Sequence, residues 1–310
     1  MKPKIVVVGS SNTDMIIRLP RLPKLGETVI NGSFAMAAGG KGANQAVAAA
    51  RAGGDVSFIA KLGGDLFGTQ ALEGFNKEGV DTEFVGVDSS SPSGVALIFV
   101  DEHGENSIGV ASGANAGFHP SDLSQALDRI HSADILLIQL EIPQPTVDAA
   151  ISLAAQAGVQ VILNPAPARR LDETTLRNVS VLTPNESEAE ALCGFPLTDD
   201  KAVKSAAEAL LSRGIGAVVI TLGARGAFFA DNGTSGFVTA FSVQPVDTTA
   251  AGDVFNGALA VMLGEHASLR DAVRFANAAA ALSVQRLGAQ PSAPHRMEIM
   301  EFLKTRTPAK

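Results

Sequence analysis

Short apolar runs alternate along this chain with longer segments in which apolar residues recur at helical spacing. Runs rich in Val, Ile and Leu are typical of buried strands. The runs lie at residues 5–8, 56–59, 135–138, 159–163, 179–182 and 218–221, and the helical segments include 44–51, 67–78, 146–157 and 201–212. Because such strands are apolar throughout and helices separate them, we predict an α/β fold with an open, mostly parallel central sheet covered by helices on both faces.

Two stretches, at about 15–37 and 94–111, interrupt this alternation and contain no helical pattern. We expect them to form a small antiparallel sheet that projects from the main body. Its strands carry apolar side chains on both faces, so one face could cover a substrate pocket and the other a second subunit. The strand-like pieces are 15–18, 27–30, 95–100 and 107–111. No linker separates independent domains, so we expect residues 1–310 to form a single domain with this sheet inserted.

The composition narrows the class of protein further. The chain has 310 residues, 46% of them apolar, and its 24 Lys and Arg against 32 Asp and Glu give a net charge of −8. This balance argues against disorder and against nucleic-acid or anionic-membrane binding, which a basic face would favour. The lone Cys193 cannot form an internal disulfide, and no apolar run approaches the roughly 18 residues of a membrane span. We therefore expect a soluble, cytoplasmic protein.

Several familiar motifs are absent. The glycine cluster at 39–42 is not a Walker loop, because Ala35 stands at the position of its first Gly and Gly42 at that of its Ser or Thr. Residues 9–12, after the first strand, lack the dinucleotide-binding GxGxxG pattern. The five histidines are isolated and the cysteine has no pair, so we expect no zinc site made by protein side chains.

The segment 247–257 carries the strongest local signal. It follows a strand-like piece at 241–246 and opens an apolar helix that runs to Leu263. Small residues at 250–252 would leave backbone N–H groups bare at the helix N-terminus, where the macrodipole favours an anion. Asp253 in that first turn could take a proton from an attacking hydroxyl. The same residues also fit a helix that is merely capped by Asp, and the segment alone does not decide between the two.

Polar residues after other strands could bind a sugar. Glycines at 39–42 permit close approach of backbone to ligand, and Lys41 and Asn44 would share a helix face. Asn12 and Asp14 follow the first strand, and Glu141 follows the strand at 135–140, so all three would lie at the carboxyl edge of the sheet. A glycine hinge, a capping Asx residue and a solvated Glu are the alternatives for these positions.

Two further turns could serve a nucleotide. Residues 183–190 place three carboxylates in the first turn of a helix, which the helix dipole explains but which Mg²⁺ could also use through water. The strand-end turn at 221–226 could present N–H groups to phosphate or could be a plain glycine hairpin.

Taken together, these segments resemble the ribokinase branch of the carbohydrate-kinase family, which also includes fructokinases and adenosine kinases. The resemblance extends from residues 9–14 to residues 288–292. Segments 38–46 and 247–253 match signatures of the wider family, and segments 139–143, 164–169 and 183–186 are closer to the ribokinase branch. The order and joint occurrence of these motifs are specific, although each motif alone is ambiguous.

The resemblance implies ATP-dependent phosphorylation of D-ribose at the 5-hydroxyl, giving ribose 5-phosphate and ADP. It implies that Asp253 is the general base and that Ala250, Ala251, Gly252 and Asp253 form an anion hole at their N–H groups. The sugar would be held by Asn12, Asp14, Gly40, Lys41, Asn44 and Glu141. ATP would be bound by Asn185, Thr221, Gly223, Ala224, Gly226, Gly252 and Asn277.

The resemblance also implies metal ions and a partner. Glu188 would help to place Mg²⁺ through water. A monovalent cation such as K⁺ would lie at Asp247, Thr249, Ser283, Arg286, Gly288 and Ser292, several of which would contribute backbone carbonyls. The small sheet would be a lid that closes over the sugar and pairs with the lid of a second subunit to form a homodimer.

Three alternatives remain open on the sequence. A related kinase could act on 2-deoxyribose, fructose or a nucleoside, because sequence alone does not set the volume of a pocket to one hydroxyl. A sugar-binding protein without catalysis is disfavoured by the Gly252–Asp253 pair, since a binder needs no base. A dehydrogenase is disfavoured by the missing dinucleotide glycines.

Overall fold

A computed structural model of the chain describes residues 2–306. Its strands are, in chain order, β1 (Lys4–Val8), β2 (Asn12–Arg18), β3 (Ser33–Gly39), β4 (Asp55–Gly63), β5 (Val85–Asp88), β6 (Gly94–Val100), β7 (Asn106–Ala111), β8 (Ile135–Ile138), β9 (Gln160–Leu163), β10 (Val181–Leu182), β11 (Ala217–Thr221), β12 (Ala227–Asp231) and β13 (Ser235–Val238). Its α-helices are α1 (Lys41–Ala52), α2 (Leu66–Lys77), α3 (Leu127–His131), α4 (Gln144–Gln156), α5 (Glu173–Leu176), α6 (Glu186–Cys193), α7 (Asp200–Leu211), α8 (Ala251–Gly264), α9 (Leu269–Ser283) and α10 (Arg296–Thr305).

The central sheet has nine strands in the order β13-β12-β11-β10-β9-β8-β1-β4-β5. All neighbours from β11 to β5 are parallel, and β12 and β13 add an antiparallel edge. The chain builds first outward from β1 to β4 and β5, and later from β8 on the other side of β1. Ligands of open parallel sheets bind at the carboxyl ends of the strands, where the strand order reverses. In this sheet the order reverses at β1 and β8, so we expect a ligand site at the carboxyl ends of these two strands.

Helices cover both faces of this sheet because its strands are apolar on both sides. In β1, Ile5 and Val7 belong to one buried cluster, whereas Val6 and Val8 belong to the other. The first cluster includes α1, α8 and α9, and the second includes α4 and α7. The predicted mostly parallel α/β architecture is confirmed. Its consequence for function is that α1 and α8 lie side by side on the same face.

A second, four-stranded sheet has the order β3-β2-β6-β7. The predicted small sheet is confirmed, although one of its pairings is parallel: β2 runs parallel to β6, with Asn12 opposite Gly94. Both strands leave the main body at the same edge, so they point in the same direction. The pairings of β2 with β3 and of β6 with β7 are antiparallel.

Two expected strands are absent at their predicted positions. Residues 27–30 form no strand, because Glu27 takes part in a turn in which its N–H donates to Lys24 O at 3.0 Å and its carboxylate pairs with Arg21. The strand that pairs with β2 is instead β3. Residues 241–246 also form no strand, since Pro245 has no N–H to donate and Phe241 is buried against the ring of Phe302.

Helix lengths bear on one further expectation. Across residues 2–306, every helix is too short or too polar to cross a membrane.

Candidate active site

The predicted sugar-binding residues meet in the crevice where the strand order reverses. Glu141 lies just beyond β8, and its Oε2 accepts hydrogen bonds from Ser10 Oγ at 2.6 Å and from Lys41 N at 3.0 Å. Ser10 follows β1, and Lys41 is the first residue of α1. One carboxylate therefore joins the carboxyl ends of two parallel strands to the N-terminus of a helix.

The glycines before α1 are required by space and by backbone geometry. A Cβ on Gly39 would lie 2.2 Å from Asp14 Oδ2. Gly40 has φ of +88°, and a Cβ there would lie 2.7 Å from the backbone of Ser11 and of Asn12. Any larger residue would therefore displace the backbone that carries Asn12 or the carboxylate of Asp14. This favours a binding loop over a plain hinge for residues 39–42.

Asn12 is oriented by a residue to which the sequence analysis gave no role. Asn115, in the 3₁₀ turn Gly113–Gly117, donates from Nδ2 to Asn12 Oδ1 at 2.9 Å and to Ser11 O at 3.0 Å. Its Oδ1 accepts from Ser11 N at 3.0 Å. Asn115 is 2% exposed, so its amide is a fixed support for the first residues of β2. No local pattern identifies it, because its partners are 103 and 104 residues away.

Several carboxylates surround a single lysine in this crevice. Burial and the neighbouring charges of Glu141 and Asp253 raise the pKa of Asp14 to about 6. Burial alone would lower the pKa of Lys41, but the carboxylates Asp253, Glu141, Glu188 and Asp14 raise it above its usual value. Lys41 therefore stays charged and partly offsets the repulsion among the acids.

Asp253 lies in the first turn of α8 but does not cap it. The N-cap residue is Ala250, which has φ of +58° and no side-chain capping bond. Asp253 is 5% exposed and turns instead towards α1, where Oδ2 accepts from Asn44 Nδ2 at 2.9 Å and Oδ1 from Gln45 Nε2 at 3.0 Å. The capping interpretation is thus wrong for Asp253, and the arrangement favours a catalytic or binding role.

The electrostatic state of Asp253 follows from these contacts. Burial raises the pKa of its carboxyl, whereas Lys41 and the N–H groups of Asn44 and Gln45 oppose that rise and Glu141 adds to it. A carboxylate with a raised pKa is a stronger base than a free one. It can accept a proton from a hydroxyl held next to it.

The first turn of α8 also faces open space. The N–H groups at the start of a helix have no intrahelical acceptor, so those of Gly252 and Asp253 are available to an anion. A Cβ added at Gly252 would meet nothing within 4 Å. Ala250 holds a left-handed conformation that costs a non-glycine residue about 1 kcal/mol, and such strain is common at functional turns.

A cavity of about 480 Å³ opens on the other side of Gly252. It is mainly apolar, and it is lined by Thr221, Gly223, Ala224, Gly226, Ala240, Phe241, Ser242, Val243, Pro245, Thr248, Ala251, Gly252, Phe255, Asn277, Ala280, Ala281 and Val284. All predicted nucleotide residues except Asn185 are in this lining. Asn277 is 6% exposed and donates from Nδ2 to Val238 O at 3.0 Å, so its Oδ1 is the end left for a ligand.

Asn185 lies beside this cavity rather than in its lining. It forms a bridge to Thr221, and its side chain caps α6 by accepting from Glu188 N at 2.8 Å. Glu188 returns the contact, because its Oε2 accepts from Asn185 N at 2.9 Å and its Oε1 from Asn185 Nδ2 at 3.0 Å. Both carboxylate oxygens of Glu188 are therefore engaged, and burial raises its pKa. The remaining lone pairs fit contact with a metal through water.

The six predicted cation-site residues lie in three places. Asp247 and Thr249 precede α8, the segment from Ser283 to Gly288 ends and follows α9, and Ser292 lies in the next 3₁₀ turn. Asp247 Oδ1 accepts from Thr249 N at 2.9 Å and from Thr249 Oγ1 at 2.6 Å, while its Oδ2 accepts from Gly288 N at 2.9 Å. The guanidinium of Arg286 is positively charged and pairs with Glu298, and because it has no acceptor atom only the backbone carbonyl of Arg286 could bind a cation. The oxygen-rich donors fit a hard monovalent ion better than they fit a transition metal. Within 2–306, no three His, Cys, Asp or Glu side chains cluster to hold a metal.

Relatives of known sequence support one family. The sequence model of the pfkB family carbohydrate kinases matches residues 2–296. The ribokinase of Haemophilus influenzae is 44% identical over 98% of this chain and 99% of that protein. The ribokinase of Bacillus subtilis is 42% identical over 96% of this chain and 99% of its own length. A deoxyribokinase of Salmonella typhi is 36% identical over 96% of this chain and 98% of its own length.

Solved structures agree with these sequences. The structure of Arabidopsis thaliana ribokinase complexed with ribose and ATP superposes with a TM-score of 0.92 at 35% identity, covering 98% of this chain and 99% of that one. Ribokinase from Thermotoga maritima superposes with a TM-score of 0.90 at 39% identity, covering 98% of this chain and 100% of that one. The family match, the sequence identities and the shared fold extend over almost the whole chain. The chain therefore belongs to the pfkB family of carbohydrate kinases.

Proposed function

We propose that this protein is a kinase that transfers the γ-phosphoryl group of ATP to the 5-hydroxyl of D-ribose, giving ribose 5-phosphate and ADP. The observation that carries the proposal is the position of Asp253. Its buried carboxylate faces the crevice of Asn12, Asp14, Lys41 and Glu141, while the neighbouring Gly252 lines the nucleotide-sized cavity. Full-length relatives named ribokinase at 42–44% identity support the same reaction.

In this proposal the sugar lies between the small four-stranded sheet and the main body, which is the nine-stranded sheet with its helices. Asp14 of β2 can accept hydrogen bonds from two neighbouring hydroxyls, and Asn12 and Asn44 can donate or accept. Glu141 and the ammonium of Lys41 complete the set from the main body. The 5-hydroxyl points to Asp253, which removes its proton as the oxygen attacks phosphorus.

Negative charge is spread over the oxygens of the γ-phosphoryl group in the transition state, and hydrogen-bond donors that stabilise this charge lower the barrier to attack. The N–H groups of Gly252 and Asp253 face that charge from the N-terminus of α8, and the helix fixes them in advance. The N–H of Ala251, also predicted for the anion hole, instead donates to Thr248 O at 3.2 Å. As the bond from the sugar oxygen to the γ-phosphorus forms, the bond from that phosphorus to the oxygen bridging the β- and γ-phosphates breaks, and its electron pair leaves on ADP. The proton taken from the hydroxyl remains on Asp253 until it is lost to water. The apolar lining near Phe255 and Val284 suits a purine base, and Asn277 offers it a hydrogen bond.

We also propose Mg²⁺ and K⁺ as ions for this reaction. Mg²⁺ would neutralise charge on the transferring phosphates, and Glu188 would contact its water shell. K⁺ would occupy the oxygen-rich turn around Asp247 and stiffen the residues that lead into α8. The mutual bonds of Asp247, Thr249 and Gly288 support this position.

The small sheet supports a lid and a dimer. Residues 15–37 and 94–111 would form the lid, within a single domain that spans the chain. Asp14 points to one face of the sheet, and the register puts Phe34, Met36 and Leu97 on the opposite face. These three apolar side chains are 61%, 47% and 46% exposed, and a second copy of the sheet would cover them. A cytoplasmic location accords with the use of ATP and with the single cysteine.

Direct measurement of ADP formation tests the reaction. The protein is supplied with Mg·ATP in potassium buffer and with ribose, 2-deoxyribose, fructose or adenosine. We expect ribose to give the highest kcat/KM. 2-Deoxyribose is the second candidate, because a deoxyribokinase is among the relatives. No ADP release with any of the four would contradict the proposal.

An isosteric variant tests the base. Asp253→Asn keeps the shape of the side chain but removes its basicity, so we expect kcat to fall by about 10²–10⁴-fold. Ribose affinity, measured by calorimetry, should stay within a few-fold of the original. A near-normal rate in this variant would exclude Asp253 as the base.

A further inference from the structure

Gln45 is a buried amide in which the NH₂ group donates two hydrogen bonds and the oxygen accepts one. It follows Asn44 on α1 and is 0% exposed. Its Nε2 donates to Asp253 Oδ1 at 3.0 Å and to Asn164 Oδ1 at 3.1 Å. Its Oε1 accepts from Gln139 Nε2 at 2.6 Å. Gln45 therefore has no surface left for a sugar and contacts the site only through Asp253.

The direction of these bonds is fixed at both ends by groups that can only accept. Asp253 presents a carboxylate when ionised, so Gln45 must turn its NH₂ group towards it. Asn164 Nδ2 donates to the backbone carbonyl of Thr183 at 3.0 Å, so Asn164 must turn its oxygen towards Gln45. Gln45 is then left with its oxygen facing Gln139, which must donate. The three amides thus have one consistent orientation.

The network returns to the same turn of α8 from the other side. Thr183 Oγ1 donates to Asn256 Oδ1 at 2.6 Å, and Asn256 Nδ2 donates to Gly252 O at 2.8 Å. Thr183 and Asn256 are each 1% exposed. The side chain of Asp253 and the peptide of Gly252 are therefore both tied to buried groups at the ends of β9 and β10.

Glycines make room for this network. A Cβ on Gly9 would lie 2.2 Å from Gln139 Oε1, and a Cβ on Gly257 would lie 2.8 Å from Gln45 O. Gln139 is 0% exposed and its Oε1 has no hydrogen-bond partner. An unsatisfied buried oxygen costs free energy. The hydrogen bond that Gln139 donates to Gln45 offsets part of this cost and explains why a polar side chain stands at this buried position.

We infer that Gln45 is a positioning residue for phosphoryl transfer, which holds the carboxylate of Asp253 in its ionised form and in one rotamer, and that Gln139 and Asn164 hold Gln45 in turn. An amide suits this task because it donates an N–H bond and does not titrate. It stabilises the carboxylate without competing for the proton of the hydroxyl. The inference rests on the proposed function only in taking Asp253 as the base.

Other charges also act on Asp253 and must be kept constant in a test. They come from Lys41 on α1, Asp14 on β2, Glu141 after β8 and Glu188 on α6. Substitutions at Gln45 or Gln139 leave all four unchanged. A shift between variant and original protein therefore reports the lost hydrogen bond.

The test uses Gln45→Met and Gln139→Met, which keep the length of the side chain but donate no hydrogen bond. Gln156→Met is the control, because Gln156 is exposed on α4 and bonds only to Ser152 Oγ at 3.0 Å. For Gln45→Met we expect kcat to fall about 10–100-fold and the acid limb of the kcat–pH profile to move up by about one unit. KM for ribose should change less than about threefold. Gln139→Met should change kcat and the profile in the same direction but by less, and Gln156→Met should change neither.

A second readout does not depend on turnover. Carboxyl-carbon NMR titration follows the pKa of Asp253 directly, with Asp253→Asn to assign the signal. A raised pKa in Gln45→Met supports the inference even if ribose is not the substrate. An unmoved pKa and an unmoved profile in a variant that binds ribose normally would overturn it, even if the original protein phosphorylates ribose. If Gln45→Met does not fold, Gln139→Met decides by the same two criteria.

Discussion

Gly257 offers a sharp test of how the carboxylate of Asp253, the proposed general base, is placed. It lies on α8 one turn after Asp253 and faces α1. A Cβ at this position would lie 2.7 Å from Ala48 Cβ, 2.7 Å from Ala49 N and 2.8 Å from Gln45 O. Two of these three atoms belong to helix backbone, which cannot rotate away. The variant Gly257→Ala must therefore push α1 and α8 apart.

The size of the effect follows from these distances. Carbon atoms in contact lie about 3.5–4.0 Å apart, so the helices must separate by about 1 Å. Overpacking of this kind costs about 1–3 kcal/mol of unfolding free energy. The bonds from Asn44 and Gln45 to Asp253 cross the same contact at 2.9 and 3.0 Å and would lengthen. Since a misplacement of about 1 Å can cost about 10²-fold in rate, we expect kcat to fall by about that factor.

The assay compares kcat and chemical denaturation of Gly257→Ala with those of Gly74→Ala. Gly74 is also helical, in α2, but a Cβ there would meet nothing within 4 Å. Alanine is favoured over glycine in a helix, so Gly74→Ala should stabilise the protein by about 0.5–1 kcal/mol and leave kcat unchanged. A Gly257→Ala protein with original stability and a kcat within threefold would refute the close-contact argument.

Further outcomes are expected for Asp14, Gly39 and Arg51. Because the pKa of Asp14 is raised to about 6, its charge is lost as the pH falls through 6, and ribose affinity measured by calorimetry should weaken from pH 7 to pH 5. The raised pKa also means that the folded state binds this proton more tightly than the unfolded state. Asp14→Asn should therefore raise the unfolding free energy at pH 8 by up to about 3 kcal/mol, and this gain should disappear below about pH 4. The same variant should no longer bind the sugar. Equal stability of the variant and the original protein at pH 8 would contradict this reasoning. Gly39→Ala should raise KM for ribose by displacing Asp14, and an unchanged KM would argue against the close approach. Arg51→Ala should lower the unfolding free energy, measured by urea denaturation, by about 3 kcal/mol. The reason is that Arg51 forms a bidentate pair with Glu78 and its Nη1 donates to the backbone carbonyls of Gln290, Pro291 and Ala293. Glu78→Gln should lower the unfolding free energy less, since the bonds from Arg51 to the carbonyls remain.

The core elements of the fold were predictable because their signals are local. Strand β8 has the predicted bounds, and α1, α2, α4 and α7 lie within a few residues of theirs. The apolar period of each segment is enough to define it. The predicted strand at residues 241–246 is wrong because a short apolar run that contains a proline has the pattern of a strand, although no neighbouring strand within residues 2–306 pairs with it. The strand β3 was placed too early because its small and apolar residues carry little pattern of their own.

The site was predictable to the extent that a motif carried it. Asp253 and Lys41 lie in glycine-rich segments, whose composition predicts a binding loop, and the structure places both side chains in one crevice. Asn115, Gln139 and Asn164 received no role of their own because an isolated amide in a sequence has no distinguishing feature. Gln45 bonds to residues 94, 119 and 208 positions away, so only the folded chain reveals its role.

The parallel pairing of β2 with β6 has a consequence for how affinities of this protein are to be interpreted. Asp14 belongs to the small sheet, whereas Lys41 and Glu141 belong to the main body, so a sugar held by all three acts as a crosslink between two bodies. If the small sheet moves as the proposed lid, the apparent dissociation constant contains the free energy of closing the lid as well as that of the sugar's own contacts. A substitution that disturbs the pairing of Asn12 with Gly94 would then weaken binding without removing any contact to the sugar. In the proposal that the small sheet is a lid, sugar affinity would therefore also measure the equilibrium between open and closed forms.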